Sequence, residues 1–314
     1  LDFRVESLLD RPARSRPRAV AIGNFDGVHL GHARLLEICV GAARARDLVP
    51  TALSFDPHPA TVVSAKGAPP RIQTLASRRR RLREIGIEDL VHLRFDAAVA
   101  RLSPAEFVDQ ALIAGVQAAC VVVGHGFRFG AGRAGDVDTL RGLGRGRFET
   151  LEAPTLEDAG ERVSSSRIRS ALSRGDLEEA RRFLGRPYEI EGEVVHGDHR
   201  GRGLGFPTAN IDLDGVSALP RGVYVADGFI GAETTPRRAA VNLGVRPTFE
   251  GTEPRLEAHF PGFEGDLYGL SLRLIFLARL RDERRFDSLD ALKTQLEEDA
   301  RAAVAFSPAP PAGA

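Results

Sequence analysis

Apolar and polar positions follow two different rules along this chain. In the first half, short continuous apolar runs at Arg18–Ile22, 49–55, 90–95 and 119–123 read as strands, the last being the most β-branched. Between them, 31–46 places Leu35, Leu36 and Cys39 on one helical face, and 78–85 and 105–114 also suit helices. Asp56-Pro57-His58-Pro59 stops the second strand, and 166–173 with 176–184 reads as a helical pair. Strands alternating with helices imply a parallel sheet with crossover helices. After Gly185-Arg186-Pro187 the pattern becomes short strands separated by Gly/Pro turns, at Glu189–Val195, 223–229, 238–243, 255–260 and 270–280. That pattern suggests an antiparallel barrel or sandwich. A closing helix is predicted with Phe286, Leu289, Leu292 and Leu296 on one face and Asp287 or Ser288 as N-cap. The shift divides the chain into 1–185 and 186–306, and the Pro/Ala-rich 307–314 is expected to be disordered.

Composition narrows the class without naming it. A chain of 314 residues can hold two ordinary cores, and its 43% hydrophobic and 27% charged content is that of a globular protein. Lys+Arg and Asp+Glu balance at 43 each, so neither nucleic acid nor a membrane surface is expected as a partner. No apolar run has the length of a membrane span, and 1–18 lacks the apolar core of a secretion signal, so a cytoplasmic location is expected. Cys39 and Cys120 lie in apolar stretches and read as buried free thiols. The run Arg78-Arg79-Arg80-Arg81, without interleaved aromatics, reads as a solvated helix face. The expected state is a monomer or a weak homo-oligomer.

Two stretches carry chemistry. The first, Gly23-Asn24-Phe25-Asp26-Gly27-Val28-His29-Leu30-Gly31-His32, follows the first strand and opens the first helix. Main-chain N–H groups at a helix N-terminus favour phosphate, and glycines let an anion approach the backbone. His29 and His32, three apart, can present imidazoles to one phosphate and stabilise charge on a departing pyrophosphate. The junction of first strand and first helix is where doubly wound sheets bind ligands. Farther on, Ser164-Ser165-Ser166-Arg167 opens another helix with hydroxyls, N–H groups and a guanidinium, a second phosphate cradle.

Together these motifs resemble the HxGH nucleotidyltransferases, and specifically the N-terminal module of bacterial FAD synthetases. The resemblance implies that Gly23, Asn24, Phe25, Asp26, Gly31, Gly124, Ser165, Ser166 and Arg167 hold ATP, with His29 and His32 catalytic. Ser166 stands where the family usually has Thr. Asp56, His58 and Phe127 match segments near the flavin. In Val123-Gly124-His125-Gly126-Phe127, Gly126 replaces the family's usual Asn or Asp, which implies weakened adenylyl transfer.

The second stretch is His196-Gly197-Asp198-His199-Arg200-Gly201-Arg202-Gly203-Leu204-Gly205-Phe206-Pro207-Thr208-Ala209-Asn210. Its glycines make a loop able to close over phosphates. Thr208 and Asn210, two apart on an extended segment, face the same way and offer hard oxygens to Mg²⁺. This stretch closely resembles the riboflavin kinase signature. So do Pro220-Arg221-Gly222-Val223-Tyr224, the run from Val241 to Thr248, Leu256-Glu257-Ala258-His259, and the run from Phe263 to Gly269.

The resemblance implies that Gly201, Arg202, Gly203, Gly205, Pro207, Thr208 and Asn210 bind the second nucleotide, and that Thr208 and Asn210 hold the metal. It places Asn242 and Arg246 at the flavin and makes Glu257 the base for the riboflavin 5′-hydroxyl. From the residues alone, Glu257 is one carboxylate among many. The implied fold is an α/β Rossmann-like module followed by a small antiparallel six-stranded β-barrel with a C-terminal helix. The implied activity is phosphorylation of riboflavin to FMN and adenylylation of FMN to FAD, using ATP and Mg²⁺. Two rivals remain: a riboflavin kinase whose first half has decayed, and a non-catalytic flavin-binding regulator. Intact His29, His32 and Arg167 oppose the first, and Thr208, Asn210 and Glu257 the second.

Overall fold

The structure is a computed structural model that describes Arg4–Ser7, 16–197, 206–248 and 251–307. The chain forms two compact units: Leu1–Pro69 with Arg78–Ser164, and Pro70–Ser77 with Ser165–Ala314.

The first unit is built on a parallel sheet of six strands: β1 (Arg4–Ser7), β2 (Arg18–Ile22), β3 (Val49–Asp56), β4 (Asp89–Arg94), β5 (Ala118–Gly124) and β6 (Glu149–Ala153). Their order is β1-β4-β3-β2-β5-β6. β2 is buried along its whole length, which explains the apolar run from Ala19 to Ile22, while its one charged residue, Arg18, is paired with Asp89 at 2.7 Å. Its Val20 and Ile22 enter a core with Leu53, Val91, Leu112 and Val121. On the other face lies the helix Leu30–Ala45, whose buried Cys39 donates its S–H to Ala19 O at 3.2 Å. Both cysteines are free and buried, as expected. From β2 the sheet grows through β3 to β4, and the chain then returns to place β5 on the other side of β2. The strand order therefore reverses between β2 and β5, and open α/β sheets bind ligands at the carboxyl ends of such a pair.

Two helical expectations change in detail. The segment read as a helix over 105–114 opens with a capping box between Ser103 and Glu106 at Pro104–Phe107, then widens into π-helical turns over Val108–Gly115. The arginine run is not a solvated face. It lies on the helix Leu75–Ile85, where Arg78 falls on the same side as the fully buried Leu82 and is itself only 9% exposed. Arg80 and Arg81 do reach outward, each pairing with Glu84.

A short ribbon of β7 (Glu157–Asp158) and β8 (Glu161–Arg162) ends this unit. The second unit contains the helices Ser165–Ser173 and Leu177–Leu184, the latter capped by Asp176 and closed by Gly185 in the left-handed region (φ 73°). Six antiparallel strands follow: β9 (Glu189–Val195), β10 (Thr208–Ile211), β11 (Gly222–Ile230), β12 (Arg237–Thr248), β13 (Gly251–His259) and β14 (Ser271–Arg281). They close into a barrel in the order β10-β13-β12-β11-β14-β9, with β9 pairing back to β10. The alternation of strand side chains sends Tyr224, Ala226, Val241, Leu256, Leu274 and Phe276 to one buried face. Thr208, Asn210, Asn242 and Glu257 lie on the other.

The closing helix, Leu289–Ala305, is capped by Ser288, but its buried face differs from the apolar stripe read in the sequence. Leu289 is 68% exposed, and the buried residues are Gln295, Asp299 and Ala303. Asp299 accepts two bonds from Arg281 of β14, at 2.9 and 2.7 Å, and a third from Gln295 at 2.9 Å. A satisfied polar network takes the place of the expected leucine seam. The tail beyond 307, expected to be disordered, lies outside the described residues.

Candidate active sites

The first site grows from the turn between β2 and the helix Leu30–Ala45. Phe25 (φ 49°), Gly27 (φ 90°) and Val28 (φ 37°) all adopt left-handed backbone there. For a β-branched residue this is a strained conformation, held because the Phe25 and Val28 side chains are buried. The turn delivers His29 as the helix N-cap, and His29 Nδ1 accepts from the His32 amide at 3.1 Å. An accepting Nδ1 puts the proton of the neutral ring on Nε2, so His29 offers an N–H donor from its far edge. The His32 ring stacks on it at 3.7 Å, with 13° between planes. Gly31 makes the packing possible, since a Cβ there would stand 3.2 Å from the His29 ring and 3.7 Å from Val163 O. Two imidazoles and the first-turn amides thus share the helix N-terminus, beside the β2–β5 reversal. Donors gathered at a helix N-terminus in this way favour anions.

Neighbouring strands brace the turn. The Gly23 amide donates to Leu53 O, and Ser54 Oγ–H of β3 donates to Asn24 O at 3.2 Å. Arg78 Nη1 lies 3.5 Å from that Ser54 hydroxyl, which makes Arg78 a supporting residue that the sequence reading placed in solvent. The Asn24 amide lies 3.0 Å from His58 Nε2, while His58 Nδ1 accepts from the Ala60 amide at 3.1 Å. His58 Nε2 therefore carries the proton, and the Asn24 oxygen is the group that should face it. Asp26 is buried and Asp56 exposed. Gly124 ends β5 next to Leu35, and Phe127 stacks on Phe129 at 5.5 Å. Gly126 has φ +75°, and nothing lies within 4 Å of where its Cβ would be. Beside it, His125 Nδ1 donates to Glu152 at 2.9 Å, and Arg141 holds the other carboxylate oxygen at 2.8 Å. These two bonds, His125 first, hold the Glu152 carboxyl below the ordinary carboxylate range. In the second unit, Ser165, Ser166 and Arg167 form the first turn of the helix Ser165–Ser173, which buries Ile168, Ala171 and Leu172.

The second site is on the barrel. Register places Asn210 of β10 opposite Glu257 of β13, and Glu257 opposite Asn242 of β12, so the three form one row across three strands. Thr208 pairs with His259 one step along, and His259 Nδ1 bonds Pro207 O at 2.9 Å. Sequence reasoning missed Arg255. Its Nε donates to Asn210 Oδ1 at 2.7 Å, and its Nη2 lies 2.9 Å from Glu257 Oε1. The main chain of Gly197 packs so closely on this group that a Cβ would overlap the Asn210 amide and the Arg255 guanidinium. A cavity of about 450 Å³ opens beside Thr208 and Asn210 and reaches Asp266 and Tyr268, whose ring stacks on His196 at 4.1 Å. A second cavity, of about 540 Å³, is walled by Phe206, Phe260 and Phe263 and by Glu297 and Arg301 of the closing helix. Gly201, Arg202, Gly203 and Gly205 lie outside the described residues, as does the side chain of Arg246.

Thr208 and Asn210 offer neutral hard oxygens of the kind Mg²⁺ takes, few from the protein and the rest from phosphate and water.

Comparison with known proteins follows this division. Residues 11–167 match the family model described as FAD synthetase, and 184–307 match that of riboflavin kinase. The chain is 37% identical over 288 residues to a bifunctional riboflavin kinase/FMN adenylyltransferase of Escherichia coli strain K12, covering 91% of this chain and 92% of the relative. It is 40% identical, with the same coverage, to a protein of that description from Pseudomonas fluorescens. A crystal structure described as a macrolide-efflux protein from Streptococcus pneumoniae superposes with a TM-score of 0.76 at 32% identity, over 98% of this chain and 99% of that one. Among the described residues, no helix of the present chain is long and apolar enough to cross a membrane.

Proposed function

The chain belongs to the bifunctional riboflavin kinase/FMN adenylyltransferase family, and from that premise we propose how its own residues divide the work. Residues 186–306 phosphorylate riboflavin to FMN with ATP, and 1–185 transfer an adenylyl group from a second ATP to FMN, giving FAD and pyrophosphate. The row formed by Asn210, Glu257 and Asn242 is the observation that carries the kinase half, because it sets a carboxylate beside a hard-oxygen pair.

In the kinase reaction Thr208 and Asn210 hold the magnesium ion, which when bound neutralises phosphate charge. Glu257 accepts the proton of the riboflavin 5′-hydroxyl as that oxygen attacks the γ-phosphate. The aromatic cavity beside Pro207 takes the flavin ring, and the family resemblance also assigns Asn242 and Arg246 to the flavin. In the adenylyl transfer His29 Nε2–H and His32 donate to the departing pyrophosphate, and the first-turn amides hold its charge. Gly23, Asn24, Phe25, Asp26, Gly31 and Gly124 shape the ATP cradle. Ser165, Ser166 and Arg167 offer hydroxyl, amide and guanidinium donors suited to nucleotide phosphate, and Asp56, His58 and Phe127 meet the flavin.

The test supplies riboflavin, ATP and Mg²⁺ and follows FMN and FAD by chromatography. Glu257→Gln should lower phosphorylation by roughly 10²–10⁴-fold and leave adenylylation of supplied FMN intact. His29→Ala with His32→Ala should do the reverse, each lost donor costing ~10²–10³-fold. Loss of both activities in either variant, with normal thermal unfolding, would overturn the two-site reading.

A further inference from the structure

We propose that Arg255 is a built-in counter-cation of the kinase site, which ties Asn210 to Glu257 and must leave Asn210 before a metal–nucleotide can bind. This rests on the reading of Thr208 and Asn210 as the metal-holding pair. Arg255 precedes Glu257 by two residues on β13, so both side chains project from the polar face of the barrel wall. One planar guanidinium spans two strands: its Nε holds Asn210 Oδ1 at 2.7 Å and its Nη2 holds Glu257 Oε1 at 2.9 Å. Asn210 is 7% exposed, and its amide is hemmed in by the Gly197 main chain, so it has little room to turn its oxygen elsewhere.

A divalent cation on Asn210 Oδ1 would stand within a few ångströms of the guanidinium, and two positive charges at that separation repel strongly in a partly desolvated site. Arg255 therefore gives way when the metal arrives. Its side chain is 22% exposed and that of Glu257 26%, so the guanidinium has solvent to swing into. One displacement frees the metal ligand and uncovers the base. Glu257 becomes available to the alcohol only when the nucleotide is in place.

The test uses the full chain carrying His29→Ala and His32→Ala, so that nucleotide binding reports the barrel site, and titrates Mg²⁺–ADP calorimetrically without flavin. Arg255→Gln should tighten Mg²⁺–ADP binding about tenfold, the scale of one partly exposed charge-assisted hydrogen bond no longer broken. ADP without Mg²⁺ should bind both proteins alike, which a merely structural role would not require. Arg255→Lys, whose point charge cannot span both partners, should fall between and guards against a folding defect in the first variant. Unchanged or weaker Mg²⁺–ADP binding in Arg255→Gln, where Asn210→Ala abolishes binding, would overturn the counter-cation role alone. Unchanged binding in Asn210→Ala would overturn the metal-pair reading and this proposal with it.

Discussion

Gly31→Ala isolates geometry from stability at the first site. The added Cβ would stand 3.2 Å from His29 Nδ1 and Cε1, tighter than ordinary van der Waals contact, so the ring must retreat by a few tenths of an ångström. That movement stretches the bond from the His32 amide, an N-cap contribution of about 1 kcal/mol. Replacing glycine by alanine in a helix returns about 1 kcal/mol, so net stability should hardly change. Catalysis should change, because a misplacement of about 1 Å can cost about 10²-fold and a few tenths should cost roughly tenfold. The assay is FAD formation from supplied FMN and ATP, with riboflavin phosphorylation and thermal unfolding measured in parallel. Gly41→Ala on the same helix is the control: nothing lies within 4 Å of its Cβ, so it should gain up to about 1 kcal/mol at an unchanged rate. A wild-type adenylylation rate in Gly31→Ala would refute the idea that His29 is placed by this narrow gap.

Gly126→Asn should fold normally, since Asn tolerates left-handed backbone and the space is open, and should raise FAD output about tenfold or more by restoring one strong hydrogen bond. A neutral result, paired with a damaging His125→Ala, would assign that role to His125 instead. Burial pushes the Cys39 thiol up to about 12 and the Cys120 thiol up to about 11, so the reactive thiolate is scarce at pH 8. Neither should react with Ellman's reagent until the chain is unfolded in guanidinium, and prompt labelling of the native protein would contradict the burial.

What the sequence made legible depended on how local the cause was. Strand β2 was read to the residue because burial on both faces leaves a run of apolar residues from Ala19 to Ile22. Strand β6 was missed because its sequence, Glu-Thr-Leu-Glu-Ala, belongs to an edge and buries only Ala153. The motifs at 23–32 and 207–210 announce themselves through glycine, histidine and Pro-Thr spacing. Arg255 does not, because its meaning comes from the register of β10 on β13, which no spacing reveals. Arg78 was legible in principle, since it lies four residues before Leu82 on the buried face, but four consecutive arginines hid the period. The closing helix misled for the opposite reason: its leucines face outward in part, and Asp299 and Gln295 are buried through a partner eighteen residues before Asp299, Arg281.

The barrel unit takes in Pro70–Ser77, a piece of chain more than a hundred residues upstream of its first strand. Tyr188 donates to Ile72 O at 2.8 Å, the Glu191 amide donates to Ser77 Oγ at 3.1 Å, and Arg71 pairs with Asp214. A gene fragment beginning at 186 would encode every strand of the barrel yet leave the Tyr188 hydroxyl and the β9 backbone without these partners. The unit is whole in space and split in the polypeptide. Scissors applied to the gene therefore do not cut where the fold divides, and fusion of the two activities in one reading frame is part of how the barrel is completed.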